Sequence, residues 1–319
     1  MKYFSKELCV AILSYNGKQY LKSCLDSLLS QSLQNFDIYL VDNNSSDGSV
    51  EFVHKNYPSI HILQTNENGG YSGGYNYMLN YFKIHKIQYE YLLLLNNDTV
   101  CDISLCENAC KFFKEHENVG LVCPTILNSD QTIFSEGGKF LPLSGTPISV
   151  GSGIFRPENI FVECFWGSGC AFFVRHSLFE TLGGFADYFM YFEDIDLSWR
   201  VRNLGLKVLY LRNTYIVHML GGSKAPSSLE IYYAERNRII SYWRNLDNII
   251  FIFLFPILVL FRIILLLYYI HTFSDFKFKI KGLLDGVKSL PEFKKINSPI
   301  LLQFRTLLTM SKIEEHKIV

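Results

Sequence analysis

Four short apolar runs in the first hundred residues predict buried strands. They are CVAIL at 9–13, IYLV at 38–41, IHIL at 60–63 and YLLLL at 91–95. Continuous apolarity over so few residues is typical of strands that are covered on both faces of a parallel sheet. Helical spacing of apolar residues separates the runs, at Leu21, Leu25, Leu28 and Leu29 and again at Tyr75, Leu79 and Phe82. This alternation predicts a Rossmann-like α/β fold with a mostly parallel sheet flanked by helices.

Polar residues follow each of these runs directly. They are Ser14 to Asn16, Asp42 to Asn44, Gln64 to Gly70 and Asn96 to Asp98. The carboxyl ends of parallel strands meet at one edge of a sheet, where open α/β folds bind their ligands. Asn, Asp and Gly also form ordinary turns, which would explain any one of these segments alone. Four such segments together predict a ligand site that includes Asp98.

The middle of the chain has a different pattern. Residues 120–190 are richer in Gly, Pro and aromatic side chains, which favours strands and loops over helices. FEDIDLSWRVRNLG then predicts a helix from about Asp194 to a stop at Gly205, and KVLYL predicts a strand after it.

The C-terminal region predicts association with a membrane. Residues 249–270 are apolar except for Pro256 and Arg262, and they are long enough to span a bilayer. The proline and the arginine also suit a bent segment that lies in one leaflet. An apolar helical face with flanking lysines follows at 276–290, as in helices that lie on anionic lipid. The alternative is a pair of helices packed on the soluble domain. We therefore divide the chain into a domain at 1–245 and a helical tail at 246–319.

Composition narrows the classes of partner. Lys plus Arg equals Asp plus Glu, at 30 each, so the chain lacks the basic field that nucleic-acid binding requires. The eight cysteines are scattered, which favours reduced, buried thiols over a zinc site. The N-terminus reads as a first strand and not as a secretory signal, so we expect the bulk of the chain in the cytosol.

Neither of the common phosphate-binding loops is present. The chain contains no G-x-G-x-x-G and no G-x-x-x-x-G-K-[ST] motif. A carboxylate offers another way to hold a diphosphate, because Mg²⁺ or Mn²⁺ can bridge the two. Asp98 is the candidate for that carboxylate.

The ordered set of motifs resembles the family 2 glycosyltransferases with a GT-A fold, in particular the rhamnosyltransferase-like enzymes of bacterial surface polysaccharide assembly. The resemblance runs from SYNG at 14–17 to YYAERNRI at 232–239. It includes LVDNNSSDGS at 40–49, NENGGYSGGYN at 66–76, LLLNNDT at 93–99, GGFADYFMYFEDIDLSWR at 183–200 and VHMLGGS at 217–223. One position departs from the family pattern, because the first residue of its acidic triplet is Asn96 here.

The resemblance implies a role for each matching residue. The nucleotide site would include Tyr15, Asp42, Asn68, Gly70 and Asn97, with Tyr15 and Asp42 at the base and Gly70 allowing close backbone approach to the donor. Asp98 and His218 would bind Mg²⁺ or Mn²⁺, and Asn96 would lower the affinity for the metal. The GGSKAPSS segment after His218 is expected to be a loop that closes over the donor, whereas Arg236 and Arg238 could face the diphosphate, lipid or solvent.

The same resemblance makes Asp194 the catalytic base that deprotonates an acceptor hydroxyl, a role that contributes roughly 10²- to 10⁴-fold in rate. Glu193 would raise the pKa of this base or orient the acceptor. Acidic residues also favour a helix start for structural reasons, and a lone histidine after a strand can be purely structural.

The function that this implies is inverting, metal-dependent transfer of a sugar, rhamnose from dTDP-rhamnose above all, to a membrane-anchored glycan. The enzyme would act at the cytoplasmic face of the cell membrane, as a peripheral or monotopic protein. The alternatives are a polyprenyl-phosphate glycosyltransferase, a catalytically silent binding subunit of a polysaccharide assembly complex, and a sugar nucleotidyltransferase. The last lacks its expected glycine- and arginine-rich N-terminal loop.

Overall fold

The computed structural model describes residues 6–219, 227–268, 273–296 and 298–318. The strands are β1 (Leu8–Ser14), β2 (Phe36–Asp42), β3 (His61–Gln64), β4 (Tyr91–Asn96), β5 (Thr99–Cys101), β6 (Val119–Leu127), β7 (Ile133–Ser135), β8 (Gly137–Leu141), β9 (Thr146–Val150), β10 (Ile160–Cys164), β11 (Ala171–Arg175), β12 (Lys207–His218) and β13 (Glu314–Lys317). The helices are α1 (Lys18–Leu29), α2 (Ser49–Asn56), α3 (Gly70–His85), α4 (Leu105–Glu115), α5 (His176–Thr181), α6 (Glu193–Asn203), α7 (Ser228–Asn245), α8 (Asn248–Tyr268), α9 (Phe273–Ser289) and α10 (Ile300–Thr309).

The main sheet has the order β13-β10-β12-β6-β11-β4-β1-β2-β3, with β5 paired to β12 and β7 paired to β6. The strands β4, β1, β2 and β3 are parallel to one another, as the apolar runs predict. β11 inserts antiparallel between β4 and β6, while β6 and β12 are again parallel. The predicted mostly parallel α/β fold is therefore confirmed.

The apolar runs form the main hydrophobic core. Leu8 to Ile12 on β1 and Tyr91 to Leu95 on β4 are fully buried, and α1 covers them through Leu21, Leu25 and Leu28. Each leucine-sized side chain of this kind contributes about 1.5–3 kcal/mol when it leaves water, which is why the central strands read as continuous apolar sequence. The eight cysteines are all free and buried.

A second apolar cluster joins the α/β domain to the C-terminal helices. Phe140, Trp199 and Tyr242 meet at its centre with ring centroids 5.2–6.0 Å apart. Leu258 of α8 and Met310 after α10 complete it, and both are fully buried. The C-terminal helices therefore pack on the domain instead of standing apart from it.

α8 runs through Pro256 as one helix with two unlike sides. Ile250, Phe251 and Leu258 are buried against the domain, whereas Ile252 and Phe253 are 65% and 71% exposed. Of the described helices, α8 alone has the length and the apolar composition to cross a membrane.

Arg262 of α8 does not face lipid or solvent. Its side chain is 12% exposed and forms an ion pair with the buried Glu235 of α7, which also pairs with Arg238 at 2.5 Å. Since a charge is costly to bury without a partner, this buried group ties α8 to α7.

α9 packs against α7 through two glycines one turn apart. A Cβ at Gly282 would lie 2.6 Å from the carbonyl oxygen of Tyr232, and one at Gly286 would lie 2.8 Å from that of Arg236. The predicted apolar face of this helix is divided, because Leu283 and Leu290 pack on the second cluster while Leu284 and Val287 are exposed. Phe276 and Ile280, also on that face, are partly buried.

Candidate active site

Strand pairing brings the predicted polar segments to one edge of the sheet. Ser14 pairs with Asp42, Asp42 pairs with Gln64, and Leu13 pairs with Asn96, so the strand ends are level. A cavity of about 400 Å³ lies there. Its lining includes six of the predicted site residues, Tyr15, Asn68, Gly70, Asn97, Asp98 and Glu193.

Asn97 is held in place under the SYNG segment. Its Nδ2 donates to Ser14 Oγ at 2.9 Å. A Cβ at Gly17 would lie 1.9 Å from Asn97 Nδ2, so the position next to α1 needs a glycine for steric reasons. The glycine of SYNG thus makes room for the amide of Asn97.

Gly70 has φ +67°, and a Cβ there would lie 2.2 Å from the carbonyl oxygen of Phe189. The adjacent Tyr71 N–H donates to that carbonyl at 2.7 Å. Close backbone approach is therefore required at Gly70, as expected, but the structure places the backbone of Phe189 against it. Asn68 supports the same turn, because its Oδ1 accepts from Gly70 N–H at 2.9 Å.

Asp42 lies beneath the cavity and is fully buried. One carboxylate oxygen, Oδ2, accepts from Ser45 N–H at 2.9 Å, while Oδ1 has no hydrogen-bond partner among the described residues. Tyr15, by contrast, is half exposed at the cavity rim. Tyr15 and Asp42 are the two residues predicted to contact the nucleotide base. Tyr15 is exposed at the cavity rim, whereas Asp42 is buried.

Asp98 and His218 are brought together by an antiparallel pair of strands. His218 of β12 pairs with Thr99 of β5, and Met219 N–H donates to the Asp98 carbonyl at 2.8 Å. His218 Nε2 then lies 3.1 Å from Asp98 Oδ2. Burial lowers the pKa of His218, but hydrogen bonds to Asp98 and Cys170 outweigh burial and raise this pKa to about 10.

Glu193 and Asp194 are the first two residues of α6, and the surroundings of each raise its pKa. Asp194 Oδ2 accepts from Gly169 N–H at 3.1 Å and its Oδ1 from Ile195 N–H at 2.8 Å. Burial raises the pKa of Asp194 to about 6 against these hydrogen bonds. Burial and the neighbouring Asp194 charge raise the pKa of Glu193 well above its usual range. Both acids at the start of α6 therefore have a raised pKa, and burial is the main cause for each.

The segment before α6 has an unusual backbone. Phe189, Tyr191 and Phe192 all have left-handed conformations, with φ of +67°, +64° and +71°. Each costs a non-glycine residue of order 1–3 kcal/mol, and such residues cluster at functional sites. Phe189, Met190 and Tyr191 line the cavity together with Glu193.

Several residues that line the cavity were not predicted as site residues from the sequence. Asn43 donates from Nδ2 to the Gly70 carbonyl at 2.7 Å, and Tyr71 donates from its hydroxyl to the Gly169 carbonyl at 2.7 Å. The strand-end pattern flags Asn43 only as one polar residue among many. Phe189 to Tyr191 fall within the GGFADYFMYFEDIDLSWR motif, but residue types alone do not show their left-handed backbone or their place on the cavity wall.

The remaining predicted features divide between buried contacts and residues that the structure does not describe. Arg238 donates from Nε to the Gly145 carbonyl at 2.7 Å and is buried, and Arg236 lies over the Phe293 ring. The closing loop predicted from GGSKAPSS covers residues 221–228, of which 221–226 lie outside the described part of the chain.

The sheet, its carboxyl-edge cleft and the flanking helices define a GT-A nucleotide-sugar-dependent glycosyltransferase. More narrowly, the chain belongs to glycosyltransferase family 2. The profile described as Glycosyl transferase family 2 matches residues 9–183, more than half of the chain.

Two relatives in sequence are similar over most of their lengths. An N-acetylglucosaminyl-diphospho-decaprenol L-rhamnosyltransferase of Mycobacterium tuberculosis is 23% identical over 66% of this chain and 75% of its own. The low-salt glycan biosynthesis hexosyltransferase Agl10 of Haloferax volcanii is 23% identical over 76% of this chain and 79% of its own.

Solved structures show the same fold at lower identity. S. aureus TarS 1–349 superposes with a TM-score of 0.59 at 16% identity, over 90% of this chain and 81% of that one. The mannosyltransferase PcManGT of Pyrobaculum calidifontis, in complex with GDP-Man and Mn²⁺, gives a TM-score of 0.53 at 15% identity, over 97% of this chain and 82% of that one.

Proposed function

We propose that this protein transfers a sugar, with inversion at the anomeric carbon, from a nucleoside diphosphate donor to a lipid-linked glycan acceptor in surface polysaccharide synthesis. One observation carries the proposal: Asp98 and Glu193, next to Asp194, line the same cavity at the carboxyl edge of the sheet. Rhamnose from dTDP-rhamnose is the donor we favour, because the M. tuberculosis relative is an L-rhamnosyltransferase.

Asp98 and His218 are the residues that would hold Mg²⁺ or Mn²⁺. Asp98 Oδ1 is buried and has no partner among the described residues, which leaves a ligand oxygen free. His218 Nε2 lies 3.1 Å from Asp98 Oδ2, so the two side chains would hold one cation together once the imidazole gives up its proton. When bound, the cation neutralises the charge that develops on the departing diphosphate. Two solved relatives of the same fold contain Mn²⁺, the PcManGT complex and GalNAc-T7.

The nucleotide would occupy the β1, β2 and β4 side of the cavity. Tyr15 at the rim offers a ring face for the base, and the unpaired Oδ1 of Asp42 offers an acceptor for a base N–H such as N3 of thymine or uracil. Asn68, Gly70 and Asn97 line the same cavity and would lie near the donor.

Asp194 is the base in this mechanism. Burial raises the pKa of Asp194 only to about 6, so its carboxylate is available as a base at neutral pH, whereas burial and the Asp194 charge raise the pKa of Glu193 well above its usual range and favour its neutral form. The acceptor oxygen attacks the anomeric carbon, the bond from that carbon to the phosphate oxygen breaks, and its electron pair leaves with the diphosphate. The acceptor proton passes to the Asp194 carboxylate. Protonated Glu193 can donate a hydrogen bond to the acceptor without adding a second negative charge.

The acceptor would be met at a membrane surface, on its cytoplasmic face. α8 presents a continuous apolar side to the outside, with Ile249, Ile252, Phe253, Leu260 and Ile264 each more than half exposed. Its other side is packed on the domain and tied by Arg262, which supports a helix that lies in one leaflet over one that spans the bilayer. The exposed face of α9, with Lys277, Lys281 and Lys288, supports contact with anionic lipid headgroups.

Titration calorimetry against dTDP and UDP, each with and without Mn²⁺, tests the proposal. Asp98→Ala should lose Mn²⁺-dependent binding, and Asp130→Ala, which changes an exposed turn aspartate, should keep it. Release of dTDP from dTDP-rhamnose in the presence of a lipid-linked acceptor would then establish the donor. Failure of the wild type to bind either nucleotide under any condition would overturn the mechanism and favour a silent binding subunit.

A further inference from the structure

The strained segment beside the candidate base is held by one buried side chain. Asn237 of α7 is fully buried, and its Nδ2 donates to the carbonyls of Tyr188 at 3.1 Å, Met190 at 2.8 Å and Tyr191 at 2.9 Å. Two N–H groups are thus shared among three carbonyls of one short segment. We refer to residues 188–192 as the pre-helix segment.

The orientation of the Asn237 amide is determined by its neighbours. Its Oδ1 accepts from Arg236 Nη1 at 2.9 Å, and only the NH₂ group can face three carbonyl oxygens. Reversing the amide would set an oxygen against three acceptors, in a buried site where unpaired polar groups cost about 1–3 kcal/mol each. The amide therefore fits one arrangement of the segment.

The pre-helix segment needs such support. Three of its residues have positive φ and none is glycine, so the segment adopts this shape only if surrounding contacts offset the strain. On the cavity side, the Phe189 carbonyl accepts from Tyr71 N–H at 2.7 Å. On the α7 side, Asn237 takes the carbonyls of Tyr188, Met190 and Tyr191, and the remaining carbonyl, that of Phe192, accepts from Asp196 N–H. The segment is bridged between α3 and α7, and Glu193 and Asp194 follow it directly.

We infer that Asn237 is a positioning residue for the transfer reaction: by holding the pre-helix segment in its left-handed shape, it sets the position of the Glu193 and Asp194 carboxyl groups and of the Phe189, Met190 and Tyr191 cavity wall. This rests on the proposed function for its catalytic consequence, but the clamp itself is a property of the fold. A displacement of about 1 Å at reacting groups costs up to about 10²-fold in rate, so loss of the clamp acts mainly on kcat.

The experiment compares four proteins: wild type, Asn237→Ala, Asn237→Asp and Asn203→Ala. Asn203 is the matched control, since it is also fully buried and its Nδ2 donates to a backbone carbonyl, that of Asn245 at 2.9 Å, away from the cavity. Asn237→Asp keeps the volume and removes the NH₂ donors. Measurements are the melting temperature, kcat and donor KM, and backbone hydrogen exchange by mass spectrometry.

We expect both alanine variants to lose similar thermal stability. Asn237→Ala and Asn237→Asp should each lower kcat by about 10- to 100-fold with a smaller change in donor KM, while Asn203→Ala keeps kcat within about threefold. Hydrogen exchange should accelerate in peptides that cover 186–193 and at Tyr71, whose N–H bonds to the segment, only in the Asn237 variants.

Two results would overturn the inference. One is full activity of Asn237→Asp, which would show that filling the space suffices. The other is exchange at 186–193 that matches the Asn203→Ala control. If the wild type transfers no sugar, the proposed function fails, yet the exchange comparison still decides whether Asn237 holds the segment.

Discussion

At the scale of single residues, the adjacent carboxyl groups of Glu193 and Asp194 differ in the hydrogen bonds that they receive. Asp194 receives hydrogen bonds from the Gly169 and Ile195 backbone, which favour its charged form. Glu193 has a buried oxygen, Oε2, without a partner among the described residues, which favours its neutral form. Pairs of acids with diverging pKa values are how one site supplies both a base and a hydrogen-bond donor.

Replacing Asp194 with Asn should abolish most transfer and increase stability. Without a base, kcat should fall by about 10²- to 10⁴-fold. The raised pKa of about 6 means that the folded state binds more protons than the unfolded state between pH 4 and 6. Stability from Asp194 is therefore present at low pH and lost as pH rises through 6. Asp194→Asn should gain about 1–3 kcal/mol over wild type at pH 8 and little at pH 4.

Denaturant unfolding at pH 4 and pH 8 measures this difference, and wild-type kcat/KM against pH should rise through about 6. Asp187→Asn, an exposed acid in the preceding loop, serves as the control. Equal stability of the Asp194 variant and wild type at pH 8 would show that burial does not raise this pKa.

Some of the residues discussed above could be predicted from the sequence, and others could not. Asp98 and Glu193 could be predicted because they follow a buried strand and open a helix within recognisable motifs. Asn237 could not, since its importance depends on backbone angles of residues almost fifty positions earlier. A pattern of residue types contains no φ values, and only the folded chain shows which carbonyls point inward.

At the scale of elements, the strands were the most predictable part. Their apolar runs are long enough to recognise, and their parallel direction follows from the helices that alternate with them. The short α5 (His176–Thr181) was missed within a region expected to hold strands and loops. The pairing of β5 with β12, which joins Asp98 to His218, is also beyond local patterns because the partners are more than a hundred residues apart.

The close packing of α9 on α7 gives a test at this scale. Gly282→Ala should destabilise the fold by about 1–3 kcal/mol, because the new Cβ would lie 2.6 Å from the Tyr232 carbonyl oxygen and the helices must separate. Gly73→Ala in α3 is the control: a Cβ there meets nothing within 4 Å, and this change should stabilise by about 0.5–1 kcal/mol. The melting temperatures of the two variants are compared with that of the wild type. A Gly282→Ala variant as stable as the wild type would show that α9 packs on α7 less closely than the 2.6 Å distance implies.

At the scale of the whole molecule, the outward side of α8 predicts where the protein meets lipid. Phe253→Glu should reduce binding to anionic liposomes by about tenfold or more, because an apolar side chain contributes about 1.5–3 kcal/mol when it leaves water. Ile84→Glu makes the same kind of change at an exposed site on α3 and should leave binding unchanged. Cosedimentation measures both.

The same preparation distinguishes an in-plane helix from a spanning one. A protein held by one side of α8 should be released from membranes by an alkaline carbonate wash. Retention after that wash would contradict the in-plane arrangement, and unchanged liposome binding by Phe253→Glu would assign the contact to another surface.

The last described strand bears on how this molecule is made. β13 pairs with β10 and covers the edge of the main sheet, yet it follows α8, α9 and α10 along the chain. During synthesis the ribosome therefore releases the apolar helices before the strand that finishes the sheet. Until then β10 has an open edge, which is a template for pairing with other chains. Completion of the main sheet therefore waits for a strand that is synthesised after the apolar helices.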